Sequence, residues 1–151
     1  MLIYAVEPYG ALTEEIKPLL QEHWREIAVD RDTIPLHVNV EQYRHLAACG
    51  SLVLITARDS VRLVGYIAAI MSNHLHYAST LHAIIDVFWL EPEYRQGRNG
   101  LGLFVALEAE LARCGVRKVI GQTKLGAADV WPVFKFLGWT ETERLYTKVL
   151  V

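Results

Sequence analysis

The stretch EPEYRQGRNGLGLF, residues 91–104, decides the fold. It follows LHAIIDVFWL, residues 81–90, whose apolar run reads as a strand, and it opens a helix-spaced run that ends near Gly115. Gly97, Gly100 and Gly102 remove side chains where the backbone turns into that helix. The free N–H groups of a helix start then face outward with the positive end of the dipole behind them. Arg95 and Arg98 add cations. This is the chemistry a pyrophosphate needs. The competing reading is a strand–helix turn built of small residues because helix and strand pack closely. Leu101-Gly102 stand where a P-loop has Lys-Ser/Thr, which argues against a Walker nucleotide site. No acidic ribose partner follows about 20 residues later on a second parallel strand, which argues against a dinucleotide fold.

Outward from this turn, residues 2–7, 51–57, 61–72, 117–123 and 140–150 also read as strands, the last by its alternation. Ile16, Leu19, Leu20, Trp24 and Ile27 follow helical spacing, with Thr13 as a candidate N-cap and Pro18 marking an alternative start. Helices are also expected over 40–49 and about 100–114, each followed by a glycine suited to a left-handed C-cap. Residues 29–38 and NHLHYAST, 73–80, read as loops, and Asp129 can cap a short helix ending before Gly138. The order β-α-α-β-β-β-α-β-α-β predicts an α+β fold. Its sheet is mixed and mostly antiparallel, with one parallel βαβ unit, in a single domain over 1–151.

Composition agrees. The chain has 151 residues, 52% apolar and 21% charged, which excludes intrinsic disorder. Net charge is −2, so no basic field exists to hold nucleic acid or an anionic membrane. Mean hydropathy is +0.20, but the longest apolar stretch, 63–71, is far short of the ~20 residues of a spanning helix. MLIYAVEPYG does not read as a signal peptide. Two cysteines suit a reducing, cytoplasmic setting rather than a disulfide framework.

Strict alternation along 81–90 places His82, Ile84, Asp86, Phe88 and Leu90 on one face. Asp86 is then a carboxylate among apolar neighbours. Burial would raise its pKa towards that of a general base, unless it is a structural acceptor of hydrogen bonds. His74, His76 and His82 cluster between two strands. H-x-H spacing suits a metal, but no Cys or carboxylate joins it locally, so no metal is expected. His76, Tyr77 and His82 are candidates for an acceptor site, against solvated loop residues.

The residues carry a resemblance. WLEPEYRQGRNGLGLFVALEAELARCG is similar to motif A of the GNAT superfamily of acetyl-CoA-dependent N-acetyltransferases: strand, Pro, Tyr-Arg, glycine turn, amphipathic helix. VFKFLGWTETERLYTKVL resembles that family's following helix and strand, and LVGYIAAI the strand before the catalytic one. EEIKPLLQEHWREIAVDRDTIPL most resembles members found in tailed-phage and prophage genomes. The resemblance implies that acetyl-CoA lies in a V-shaped gap between strands 81–90 and 117–123. Its pantetheine would pair with the backbone of Phe88, Trp89 and Leu90. Its pyrophosphate would sit on Arg95, Gln96, Gly97, Arg98, Asn99, Gly100 and Leu101. A primary amine, of a small molecule or a protein, would attack the thioester directly with Asp86 as base. A homodimer is compatible with the family. Arg98 replaces the central glycine of R-x-x-G-x-G, with Gly97 and Gly102 as candidate compensation; Ala127 stands for a usual Asn and Phe134 for a usual acid Tyr. Tyr146 on the final strand is a candidate stand-in acid. The alternatives are a catalytically silent CoA-binding or protein-interaction domain and a nucleotide-phosphate binder with other chemistry.

Overall fold

The computed structural model describes residues 1–127 and 129–150. Its strands are β1 (Ile3–Val6), β2 (Leu52–Asp59), β3 (Arg62–His74), β4 (Tyr77–Leu90) and β5 (Lys118–Ile120). They lie side by side in chain order in one five-stranded sheet. The first four pair antiparallel and β4 with β5 parallel, which is the expected α+β arrangement. Helices α1 (Tyr9–Leu12), α2 (Lys17–Ile27) and α3 (Val40–Ala48) cover one face. Helices α4 (Asn99–Arg113) and α5 (Trp131–Phe136) cover the other.

The sandwich follows from β3. Residues 63–69 are buried throughout, as a central strand with both faces covered requires. Ile67 and Ala69 pack under α4, while Tyr66 and Ala68 pack under α1 and α2. Leu103, Phe104, Leu107 and Leu111 form the buried stripe of α4. That helix is drawn against β1 by Gly102: a Cβ there would lie 2.3 Å from the Tyr4 ring. The Tyr4 hydroxyl donates to the Asn99 carbonyl at 2.7 Å and fixes the start of the helix. Gly50 and Gly115 adopt φ +68° and +84° after α3 and α4, as expected of left-handed caps.

Three expectations are corrected. Thr13 does not cap a long first helix. It ends α1, its hydroxyl donating to the Tyr9 carbonyl at 3.3 Å, and α2 starts near Pro18. Residues 73–80 are not a loop: β3 and β4 extend into a hairpin that leaves only Leu75 and His76 between them. Finally, β5 is shorter than 117–123 and residues 140–150 form no strand. A Cβ on Gly121 would lie 2.8 Å from Trp139 and 3.1 Å from Phe134, so the aromatic pair, one ring on α5 and one three residues past its end, crowds the end of β5. The edge that a final strand would pair with is too short, and residues 141–148 stay exposed.

Beneath α2, His23 is 5% exposed and its Nδ1 shares a hydrogen bond with the Tyr66 hydroxyl at 2.7 Å. Burial pushes the imidazole pKa down to about 4. The folded ring therefore stays neutral while an unfolded chain protonates near pH 6.5. Above pH 6.5 this group adds no pH dependence. From about pH 6.5 down to 4, the unfolded state takes up a proton that the folded state refuses, and stability should fall by about 3 kcal/mol. Denaturant unfolding of His23→Gln, which keeps a hydrogen-bonding partner for Tyr66, should lose that part of the slope; a slope equal to wild type would remove His23 as its source. A second outcome concerns α4. Gly102→Ala should cost about 1–3 kcal/mol through the displaced Tyr4 ring. Gly100→Ala, whose Cβ meets nothing within 4 Å, should stay within about 1 kcal/mol of wild type.

Candidate active site

Strand β4 outruns its parallel partner. The pairing covers His82–Lys118, Ala83–Val119 and Ile84–Ile120 and then stops. Beyond it, β4 keeps β3 on one side and, among the described residues, has no strand on the other. A cleft of about 420 Å³ opens there. Ile85 to Leu90 line one wall; Gln122, Thr123, Lys124 and Ala127 line another. His23, Glu26 and Ile27 of α2 contribute, as do Gly100, Leu103 and Phe104 of α4 and Val130 and Val133 at α5.

Asp86 lies where the strands part. Val87 pairs with Ala68 and Ile85 with Ala69, so Asp86 is the extra residue of a β-bulge. The bulge breaks the strict alternation expected here. Phe88 and Leu90 join Ala83 and Ile85 in the core under α4, rather than the side of His82 and Ile84. Asp86 is exposed, and the Tyr43 hydroxyl of α3 donates to its Oδ2, so burial among apolar side chains is not its setting. Tyr43 stacks on Tyr9 with ring centroids 5.0 Å apart. Burial first, then the bonded carboxylate, pushes the Tyr43 pKa above the usual tyrosine value.

Backbone direction along the open edge can be read from one bond. The Glu91 N–H donates to Val64 of β3 at 2.9 Å. With a period of two, Trp89 also turns its backbone to β3, while Phe88 and Leu90 turn theirs to the open edge. Trp89 therefore departs from the expected backbone role; its indole instead donates to Glu26 Oε2 at 2.8 Å. The Leu90 carbonyl is occupied by Arg95 Nε at 2.7 Å. The Phe88 groups and the Leu90 N–H remain.

The glycines of the turn divide into separate roles. Gly97 has φ +62°, where a side chain would strain the turn. Gly100 lines the cleft, and a Cβ there would meet nothing within 4 Å. Gly102 serves packing on Tyr4, so it does not compensate for Arg98. Asn99 N–H points at the Gln96 carbonyl at 3.4 Å and Gly102 N–H at the Arg98 carbonyl at 3.1 Å. The Gly100 and Leu101 N–H groups have no backbone partner outside the helix among the described residues, as expected of donors at a helix start. Asn99 has its side chain on the Tyr94 carbonyl at 3.0 Å. Gln96 and Arg98 are exposed. Arg95 is held by Glu26, its Nη1 and Nη2 donating at 2.6 and 2.5 Å, and it does not extend freely towards a ligand.

The histidine cluster lies elsewhere. The hairpin carries His76 and Tyr77 to the end of β4 away from its open half, and His82 sits in the half still paired with β5. His74 and His82 rings are 5.0 Å apart. None of His76, Tyr77 and His82 lines the cleft. Among the described residues, no group of His, Cys, Asp and Glu is placed to hold a metal ion, and no helix is long and apolar enough to cross a membrane. Tyr146 is 85% exposed on a segment without strand pairing; its neighbour Leu145 reaches the cleft. Phe134 is buried, edge-on to Phe104 at 5.3 Å and stacked on Trp139 at 4.7 Å. Its Cζ, where a tyrosine would carry its hydroxyl, faces Gly121 and not the cleft. No tyrosine is among the described residues that line the cleft. Sequence reasoning missed Tyr43, His23 and Glu26. No spacing or motif marks them, because their partners Asp86, Tyr66 and Arg95 lie 43, 43 and 69 positions away.

Known structures share this architecture. An aminoglycoside acetyltransferase, meta-AAC0020, from an uncultured soil metagenomic sample and solved with sisomicin, superposes with a TM-score of 0.72 at 13% identity, over 99% of this chain and 96% of that one. A predicted acetyltransferase with acetyl-CoA from Clostridium acetobutylicum gives a TM-score of 0.71 at 18% identity, over 99% and 96%. Glucosamine-6-phosphate N-acetyltransferase from Arabidopsis thaliana gives 0.74 at 11%, over 100% and 99%. No curated protein sequence matches the chain. Residues 13–139 match the model of the acetyltransferase (GNAT) family, and with the parted β4–β5 pair and the glycine turn in place, the chain belongs to that family.

Proposed function

We propose that this chain transfers an acetyl group from acetyl-CoA to a primary amine by direct attack. One observation carries the reading: the open edge of β4 runs into the glycine turn, so unpaired backbone donors line one continuous path. Pantetheine amides pair with Phe88 and the Leu90 N–H. The pyrophosphate sits over Gly100, accepting from the Gly100 and Leu101 N–H groups, with Arg98 as the cation at the turn. The thioester then lies near Asp86.

The amine lone pair attacks the thioester carbonyl carbon. The ammonium proton passes to Asp86, directly or through water. His23 also lines the cleft, but with a pKa of about 4 and its Nδ1 on Tyr66 it is too weak a base at neutral pH. The tetrahedral intermediate collapses with cleavage of the C–S bond. No phenol lines the described cleft, so the thiolate departs unassisted, which a thiol pKa near 8.5 allows. The lack of an acid is also the observation that favours a silent CoA-binding domain. A small-molecule amine is the preferred acceptor, since the relatives named above include an aminoglycoside and a glucosamine-6-phosphate acetyltransferase. The likeness of residues 14–36 to tailed-phage proteins and a cytoplasmic setting are part of the same reading. Both rest on sequence.

Acetyl-CoA should raise the melting temperature, since it binds only the folded state. Gly100→Val should abolish that shift by filling the space over the helix start; a wild-type shift would move the pyrophosphate elsewhere. Asp86→Asn should keep the shift and lower turnover on a panel of amines by about 10²–10⁴-fold. Wild-type turnover across the pH range would remove Asp86 from the mechanism. A wild-type protein that shifts with acetyl-CoA but acetylates no amine, and none in a cell lysate with labelled acetyl-CoA, would leave the silent domain.

A further inference from the structure

Glu26 stands in the last turn of α2 and Arg95 begins the turn into α4. The carboxylate accepts Arg95 Nη1 at 2.6 Å, Arg95 Nη2 at 2.5 Å and Trp89 Nε1 at 2.8 Å. Arg95 reaches back through Nε to the Leu90 carbonyl at 2.7 Å, and its guanidinium lies 5.7 Å from the Trp89 ring centroid. Among the described residues, Glu26 makes every side-chain hydrogen bond that joins α2 to β4 and the turn. The pair is only about one-third exposed, at 31% and 33%, so solvent screens it incompletely. Arg95 is one of the two cations that the sequence aims at a pyrophosphate, yet its Nε, Nη1 and Nη2 all donate inside the protein.

We propose that Glu26 is a positioning residue, which holds Arg95 as a strut between α2 and the cofactor turn instead of leaving it as a phosphate ligand. A fork-to-fork pair fixes the plane of the guanidinium. The guanidinium fixes the Leu90 carbonyl, where the turn starts, and so the direction of the Gly100 and Leu101 N–H groups beyond it. Helix α2 also carries His23 into the cleft, so the strut makes the cofactor turn and that wall one unit. The affinity arm of the test rests on the acetyl-CoA reading; the exchange arm does not.

The variants are Glu26→Gln, Glu26→Ala, Arg95→Met and the Glu26→Ala/Arg95→Met double, with Glu22→Ala as control because Glu22 bonds Arg25 on its own helix. In the protein without cofactor, hydrogen–deuterium exchange over residues 95–101 should rise in Glu26→Ala and Arg95→Met, rise less in Glu26→Gln, and stay at wild type in the control. Acetyl-CoA affinity, by titration, should fall about tenfold in either alanine or methionine variant, and the double should be no weaker than the worse single, since the pair acts as a unit. A phosphate-ligand Arg95 predicts the opposite sign for Glu26→Ala: freed from its carboxylate, the cation would bind acetyl-CoA more tightly. That result, or unchanged exchange in both single variants, overturns the strut. Wild-type protein that does not bind acetyl-CoA overturns the functional reading instead, and the exchange arm alone then decides Glu26.

Discussion

Everything in the cleft depends on the parting of β4 from β5 after Ile84 and Ile120. A parallel pair three residues long is a poor strand partnership, and it is cut short by packing. Phe134 and Trp139 close over Gly121, where any side chain would collide with them. Immediately across the gap, Asp86 is an extra residue that breaks the regular pairing of β4 with β3. One strand is turned aside by aromatic rings and the other by a bulge. Backbone groups in the gap then have no partner in the sheet, and unpaired backbone is satisfied by water or by a ligand. An extended amide-bearing chain fits that requirement.

The glycine turn shows how one motif answers several constraints at once. Gly97 is needed for its φ, Gly102 for the approach of α4 to Tyr4, and Gly100 for nothing within the protein. A glycine without an internal reason, lining a cleft at a helix start, marks space kept for something else. Positive potential at the turn then comes from the helix start and Arg98, because Arg95 faces Glu26.

Most of the fold was legible because it rests on local patterns. The apolar run 63–71, the helical spacing of α4 and the glycines at 50 and 115 each carry their own signal, and the structure follows them. What failed depended on distant neighbours. The alternation of 140–150 is that of a strand, but a strand needs an edge, and Gly121 under Trp139 removes it. Alternation along 81–90 misplaced Phe88 and Leu90 because a bulge inserts one residue with no mark in composition. The turn was read correctly as a feature, yet the partner of Arg95 lies 69 positions away on another helix. Likewise Tyr43 and Asp86 meet across 43 positions, with no spacing rule to announce them.

Those long-range partners give the polar side chains of the cleft distinct characters. Tyr43 donates to Asp86 and Tyr66 shares a hydrogen bond with His23, and both phenols are pushed above the ordinary tyrosine pKa, by burial first. Each hydroxyl is therefore held in an internal bond, and neither phenol lines the described cleft. The same bonds act differently on their partners. On His23 the ring is buried, neutral and weakly basic. On Asp86 one carboxylate oxygen is bonded and the residue stays exposed in the gap. A pair of tyrosines on one side of the sheet thus sorts two candidate bases, quieting the buried one and orienting the open one at the point where the strands separate.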